Sequence, residues 1–183
     1  ADRIQDNSAL GGYLATRHLI EHGHQKIGLI TGPLDKLPAQ SRLDGYRRAL
    51  AEADLPFRED YVVTGDFKFT GGINGMHQLL ALAEPPTAVF AGNDVSAVGV
   101  YQALYRAGLR VPQDISVIGY DDIELSQYLT PPLTTIHQPK EDLCKQAVDV
   151  LLERIHGADD QPRLITLEPT LVQRESVYAL YKI

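Results

Sequence analysis

The residues of this chain that could do chemistry are few and scattered. His18 and His22 stand one helical turn apart with His24 close behind, a spacing that can hold a metal ion. The same positions also read as the solvated last turn of a helix, where imidazolium favours the negative end of the helix dipole, and that reading needs no third ligand. Asp121 and Asp122 form a carboxylate pair, but adjacent residues at a strand end point to opposite sides and do not both reach one substrate. Cys144 has no histidine or other base beside it on its helix and reads as a packing residue. The sequence contains no glycine-rich phosphate loop, no nucleophile elbow and no His-Glu-x-x-His. The expectation is therefore no enzyme, no metal and no cofactor.

A different set of polar residues recurs behind short apolar runs. Residues 26–31 (KIGLIT), 87–91 (TAVFA) and 115–119 (ISVIG) are continuous rather than alternating, the pattern of parallel strands covered on both faces. Residues 60–64 and 133–136 are further strand candidates. Helical spacing fills the gaps: 7–22 ending at Gly23, 43–54, 71–83, 94–107 ending at Gly108, and 140–156. Asn93 or Asp94 could cap the fourth of these. Strand alternates with helix, which predicts an α/β fold with a doubly wound parallel sheet.

In such sheets ligands bind outside the carboxyl ends of the strands. Here each carboxyl end carries a small residue followed by polar or aromatic ones: Thr31-Gly32-Pro33, Gly65-Asp66-Phe67, Gly92-Asn93-Asp94, Gly119-Tyr120-Asp121-Asp122 and His137-Gln138. Collected on one rim, Arg42, Asn93, Asp121 and Gln138 would supply donor forks and paired acceptors, with Phe67 flat against a ring. That set suits a neutral polyhydroxylated ligand, because each hydroxyl both donates and accepts. Ordinary turn and cap chemistry would account for any one of these residues alone.

At 183 residues the chain has the size of one domain or one lobe of a larger one. Its 44% hydrophobic and 22% charged residues exclude a disordered or fibrous chain. Twenty-four acidic residues against 17 basic ones give a net charge of −7, so no basic field attracts DNA or an anionic membrane. No apolar run approaches the ~18 residues of a membrane span. A single cysteine cannot close an internal disulfide, which fits a reducing cytosol. Two helices are unusual. Residues 94–107 are apolar nearly all round, as a central helix or one that also faces a partner subunit would be. Residues 140–156 carry Leu143, Ala147, Val150, Leu151 and Ile155 on a stripe that needs cover, and only 163–173 remains as further strand.

The run from Gly23 to Pro33 (GHQKIGLITGP) resembles the effector domain of LacI/GalR-type transcriptional repressors. So do Arg42-Leu43-Asp44-Gly45-Tyr46, Gly92-Asn93-Asp94, Val111-Pro112-Gln113-Asp114, Ile118-Gly119-Tyr120-Asp121-Asp122 and the run from Pro132 to Pro139 (PLTTIHQP). These motifs follow the family's order and spacing between about residues 6 and 177. Gly32-Pro33-Leu34-Asp35-Lys36 and Gly65-Asp66-Phe67 are most similar to the ribose-responsive members. The tail 178–183 resembles nothing in the family.

The resemblance implies a periplasmic-binding-protein-like (type I) pair of α/β lobes closing on a small effector, behind a helix-turn-helix head. Residues 1–138 would be the C-terminal lobe. Residues 139–157 would be the helix that crosses to the N-terminal lobe, and 158–183 the return strand or strands and the tail. The head and most of the N-terminal lobe would lie outside this sequence, and operator DNA would be reached only through that head. Arg42 would be the effector-binding arginine, Asn93 and Asp121 the pair that fixes sugar hydroxyls, Gln138 their neighbour on the crossing strand, and Phe67 the ring that stacks on the ligand. Where purine-responsive relatives place an arginine and a threonine, this chain has Lys36 and Pro38. Proline offers no hydroxyl, so a sugar, D-ribose, is the expected effector and inducer, with a purine or another sugar as the alternative. A homodimer would form through Val95, Val98, Tyr101, Leu104, Tyr128 and Leu129, and the protein would be cytoplasmic. A transport receptor of the same fold is the second reading, and it would present a polar face where 94–107 is apolar. A phosphate-using α/β enzyme is the third; the loop 32–38 argues against it, since its two prolines lack the successive free N–H groups of a phosphate cradle.

Overall fold

A computed structural model describes residues 2–157 and 161–180. Its centre is a parallel sheet in the order β3-β2-β4-β5, formed by β2 (Ile27–Thr31), β3 (Val62–Thr64), β4 (Ala88–Ala91) and β5 (Ser116–Ile118). Bridges Ile118–Thr134 and Asp121–His137 bring β6 (Thr135–His137) alongside β5, and β8 (Thr170–Val172) closes that side antiparallel to β6. The alternating side chains of each strand divide the core in two. Ile27, Leu29, Ala88 and Phe90 face α1 (Ser8–Glu21) and α2 (Leu37–Glu52), where Leu19, Leu43, Tyr46 and Leu50 meet them. Ile30, Val89, Ala91 and Val117 face α3 (Phe69–Leu80) and α4 (Asp94–Arg106), which supply Met76, Leu79, Val100 and Leu104. Helices on both faces make the sheet doubly wound, as its continuous apolar strands predict.

Each helix pair packs backbone to backbone. A Cβ on Gly12 would stand 2.3 Å from the Arg42 carbonyl oxygen, and one on Gly45 would stand 2.1 Å from that of Ala9. Gly72 and Gly99 are equally tight against Ser96 and Phe69 across α3 and α4. Only residues without a side chain permit helices this close.

Several expectations are corrected. The stretch 163–173 is two strands, not one: β7 (Leu164–Leu167) and β8 are separated at Glu168 and Pro169, where proline withholds a ladder donor. β7 pairs in parallel with β1 (Arg3–Asp6), a strand too short and mixed to stand out in the sequence, and together they form a separate sheet. Helix α2 begins at Leu37, six residues ahead of its first core leucine, with Pro38 in its first turn. The last long helix, α5 (Lys140–Ile155), buries only Val150 fully and leaves Val148, Leu151, Leu152 and Ile155 exposed. Cys144 lies exposed on it rather than packed. Of the tail, 181–183 lies outside the described residues, as does 158–160. Leu180 N–H donates to the His22 carbonyl at 2.9 Å, so the tail up to there lies against the end of α1.

Two of the three histidines, His18 and His24, are not solvated, while His22 is partly exposed. His18 is buried, and His24 sits among Thr87 Oγ1 (2.9 Å), Ser116 Oγ (3.0 Å) and the Tyr178 carbonyl (3.1 Å). Among the described residues no group of three or more histidine, cysteine or carboxylate side chains could hold a metal ion. Nor is any helix there long and apolar enough to cross a membrane.

Candidate functional site

The chain leaves β2 toward β3 on one side, and β4 lies on the other side of β2. A crevice opens where strand order reverses in this way, outside the carboxyl ends of the strands. Arg42, on the second turn of α2, spans that point. One terminal nitrogen of its guanidinium donates to the carbonyl of Gly92, directly after β4. Its plane lies over the Tyr120 ring, 3.6 Å from the centroid, and 5.6 Å from that of Phe67. The residue is only 5% exposed. The second terminal nitrogen stands 3.7 Å from Asp121 Oδ1, too far for a hydrogen bond, and Nε has no partner among the described residues. Arg42 therefore keeps its second terminal nitrogen facing a carboxylate.

Tyr120 is itself fixed. Its hydroxyl donates to Asp6 Oδ2 at 2.6 Å, and the Ser8 hydroxyl donates to the same oxygen at 3.0 Å. Burial raises the phenol well above its usual range. The ring is thus a neutral platform that carries the cation. Neither Tyr120 nor Asp6 stood out in the sequence. The only signal for Tyr120 is its place between Gly119 and Asp121, and Asp6 lies in the unrecognised β1.

Asp121 and Asp122 both hold left-handed backbones, φ 113° and 51°. This is rare for residues with a side chain and clusters at functional sites. Their side chains diverge, as adjacency predicts. Burial raises the Asp121 carboxyl and Arg42 opposes it. Asp122 turns away to Arg174 (2.7 Å) and His137 (2.9 Å), which outweigh its burial and lower its carboxyl. Lys140, at the start of α5, donates to the Asp121 carbonyl at 2.7 Å.

Asn93 caps α4, accepting from Ser96 N–H at 2.9 Å, while its amide donates to the Phe67 carbonyl at 3.1 Å. It thereby fixes Phe67, which also holds a left-handed backbone, φ 63°. Arg42, Phe67, Asn93 and Asp121 thus meet at one end of the sheet. Gln138 follows β6 at that same end, one residue past the His137–Asp121 bridge, and is partly buried. Lys36 precedes α2 and its exposed ammonium pairs with Asp35 at 3.1 Å, on the rim rather than in the cluster.

The residues expected to face a partner subunit differ in exposure. Val95, Val98, Tyr101 and Leu129 are half-buried, and Tyr128 is 69% exposed. Leu104 is 0% exposed and belongs to the core beneath α4, so it offers nothing to a partner. Tyr105, the next residue, is 84% exposed instead. Val98, Tyr101, Tyr105, Leu109 and Val111 line one groove with Pro131.

A parallel α/β lobe with a polar and aromatic cluster at its strand ends defines a small-molecule-binding module. Residues 16–177 match the family described as periplasmic binding protein-like domain, and the chain belongs to that family. It is similar to the ribose operon repressor of Escherichia coli K12, 58% identical over 176 residues, which are 96% of this chain and 53% of that protein. The repressor PurR of Aliivibrio salmonicida is 49% identical over 179 residues, 98% of this chain and 54% of that protein. The chain thus spans about half the length of the curated relatives it matches. Among solved structures, a LacI-family regulator from Enterococcus faecium with bound ribose superposes with a TM-score of 0.89 at 34% identity, over 99% of this chain and 67% of that one. Its fold is therefore that of LacI-family effector domains.

Proposed function

We propose that this chain is the effector-binding part of a LacI-family transcriptional repressor and that its effector is D-ribose. One observation carries the sugar reading: Arg42, buried at the strand-order switch, faces Asp121 across 3.7 Å with its second terminal nitrogen. A hydroxyl placed there accepts from the guanidinium and donates to the carboxylate, meeting both needs at once. A phosphate or carboxylate would meet the Asp121 charge. The half-buried Phe67 ring beside them gives an apolar ring face its cover. The similarity to ribose operon repressors supports D-ribose over other sugars.

A purine effector is the second reading, favoured by the similarity to PurR repressors. Against it stand Lys36, paired with Asp35 in solvent, and Pro38, which lacks a hydroxyl. In the proposed mechanism, effector closes this lobe on a second one and shifts the balance between DNA-competent and incompetent states by its differential affinity. The exposed stripe Val148, Leu151, Leu152 and Ile155 of α5 belongs to the second lobe, with 139–157 as the crossing segment. Operator DNA is met through a head outside this chain, in the cytoplasm. The repressor is a homodimer that uses Val98, Tyr101, Tyr105, Tyr128 and Leu129, and it catalyses no reaction.

Amide ¹H–¹⁵N spectra of the chain, titrated with D-ribose and separately with a purine base, test the effector. The expected result is shifts confined to Arg42, Phe67, Asn93, Asp121 and their neighbours with ribose, abolished by Arg42→Ala. The same shifts with the purine base, and none with ribose, would establish the second reading.

A further inference from the structure

Next to Asn93 stands a carboxylate that the effector site does not use. Asp94 is 0% exposed, in the first turn of α4. Its Oδ1 accepts from the Thr135 hydroxyl of β6 at 2.6 Å, and its Oδ2 accepts from the Ile123 backbone N–H at 2.9 Å. Its own N–H donates to the Tyr120 carbonyl at 2.7 Å. One residue therefore ties together three pieces: the helix that begins at Asn93, the strand that leads to Gln138, and both ends of the loop that carries Asp121. The fit leaves no slack, since a Cβ on Gly119 would stand 2.2 Å from Asp94 Oδ1.

That loop holds two consecutive left-handed aspartates, a conformation that persists only where its surroundings over-determine it. Asp122 is anchored by Arg174 and His137. The Asp121 side chain has no such anchor, since its approach to Arg42 is longer than a hydrogen bond. The bonds to Asp94 at Tyr120 and Ile123 bracket it on either side.

We infer that Asp94 is the positioning residue of the site, holding the Asp121 carboxylate opposite Arg42 without touching the ligand. The inference rests on the effector reading only for what it does to binding; the clamp itself is a property of the free chain. The ionisable groups nearest Asp94 are Asp121 and Asp122, both acidic, and their own partners are Arg42 and Lys140 for the first and Arg174 and His137 for the second. Burial accordingly raises the Asp94 carboxyl to about 6, against the lowering effect of Thr135 and Ile123. Protonation removes the charge that strengthens both bonds, so the clamp loosens as the group titrates.

Asp94→Asn tests this in the 183-residue chain. Asparagine keeps the shape and can keep both bonds, its oxygen accepting from Ile123 N–H and its amide donating to the Thr135 hydroxyl, but it removes the charge that strengthens them. With folding verified by a cooperative melt, the Ile123 amide should exchange with solvent on the order of threefold to tenfold faster, the loss of charge assistance to its bond. The Asp121 amide and Arg42 side-chain resonances should shift while those of β2 stay in place. In the unsubstituted chain the Asp121 and Ile123 amides should follow a common titration near pH 6, absent from Asp94→Asn. A carboxylate that only stabilised its own loop would leave the Arg42 side-chain resonances out of that titration. Should Asp94→Asn fail to fold, Thr135→Val decides by the same readouts, since removing the hydroxyl should move the titration to higher pH. Unmoved Asp121 and Arg42 resonances in a folded variant, or no titration, would overturn the inference. These readouts need no sugar. With D-ribose added, Asp94→Asn should bind on the order of tenfold more weakly with the same residues shifting. An unsubstituted chain silent to ribose would refute the effector and leave the clamp standing.

Discussion

Arg42 commits one terminal nitrogen to a backbone carbonyl and one face to an aromatic ring, and turns its other terminal nitrogen toward Asp121. Lysine cannot copy this, because a point charge does not stack flat and reach two directions together. Arg42→Lys should fold normally yet bind D-ribose roughly 10- to 100-fold more weakly, about 1.4–3 kcal/mol, by the same titration. Asn93 and Asp121 were legible as polar residues behind small ones at strand ends, and Arg42 was grouped with them although it lies on helix α2. What the sequence hid was their division of labour. Asn93 spends its amide on Ser96 and Phe67, so part of its role is to set the ring. The left-handed backbones of Phe67, Asp121 and Asp122 have no signature in residue type, since turns usually assign such angles to glycine or asparagine. Asp94 was read as no more than an alternative cap, because nothing local announces its bonds to Ile123 and Thr135.

At the scale of elements, periodicity served well where an element is wholly covered and poorly at the margins. The runs that begin at Lys26, Thr87 and Ile115 became β2, β4 and β5 within a residue or two, since continuous burial leaves a continuous apolar record. β1, half-buried and mixed, left none. Helix α4 shows the other limit: apolar residues all round announce two contacts but do not say which residue serves which. Leu104 went to the core and Tyr105 to the surface. Leu104→Glu should therefore cost at least ~4 kcal/mol, cavity and buried charge together, and be seen as loss of the cooperative melt. On the proposed homodimer, Tyr105→Glu should fold and sediment as a monomer where the unsubstituted protein sediments as a dimer. A folded, dimeric Tyr105→Glu would move the interface elsewhere.

For the molecule as a whole, acid is the condition its buried groups register. Burial lowers His18 and His24 to about 4. An unfolded imidazole titrates near about 6.5, so below that pH the unfolded chain takes up protons that the folded one refuses. Stability contributed by each histidine is thus complete above pH ~6.5 and lost progressively toward pH ~4. Asp94 acts oppositely: raised to about 6, it binds its proton first in the folded chain and restores stability between about pH 6 and pH 4. Two groups against one leave a net loss on the order of 2–3 kcal/mol between pH 7 and pH 4.5. The urea midpoint should fall accordingly, and His24→Gln should flatten the slope. A midpoint that rises toward acid would contradict the burial of both imidazoles.

The glycine contacts between α1 and α2 bear on how the molecule can respond. Side chains yield when pushed, by changing rotamer; a backbone carbonyl pressed on a backbone has no such freedom. The Arg42 carbonyl lies against Gly12, so the residue that would grip a ligand is seated directly on the neighbouring helix with nothing soft between. The same holds between α3 and α4 beneath Asn93. Each face of the sheet is therefore a stiff plate, and a pull on Arg42 travels as rotation of the plate rather than being absorbed within it. Bending is left to the strips that carry no such seam: the turn from Asp6 into α1 and the passage from β6 through Gln138 to Lys140. On the proposed effector reading, the residues around Arg42 would keep their geometry while the molecule around them turned.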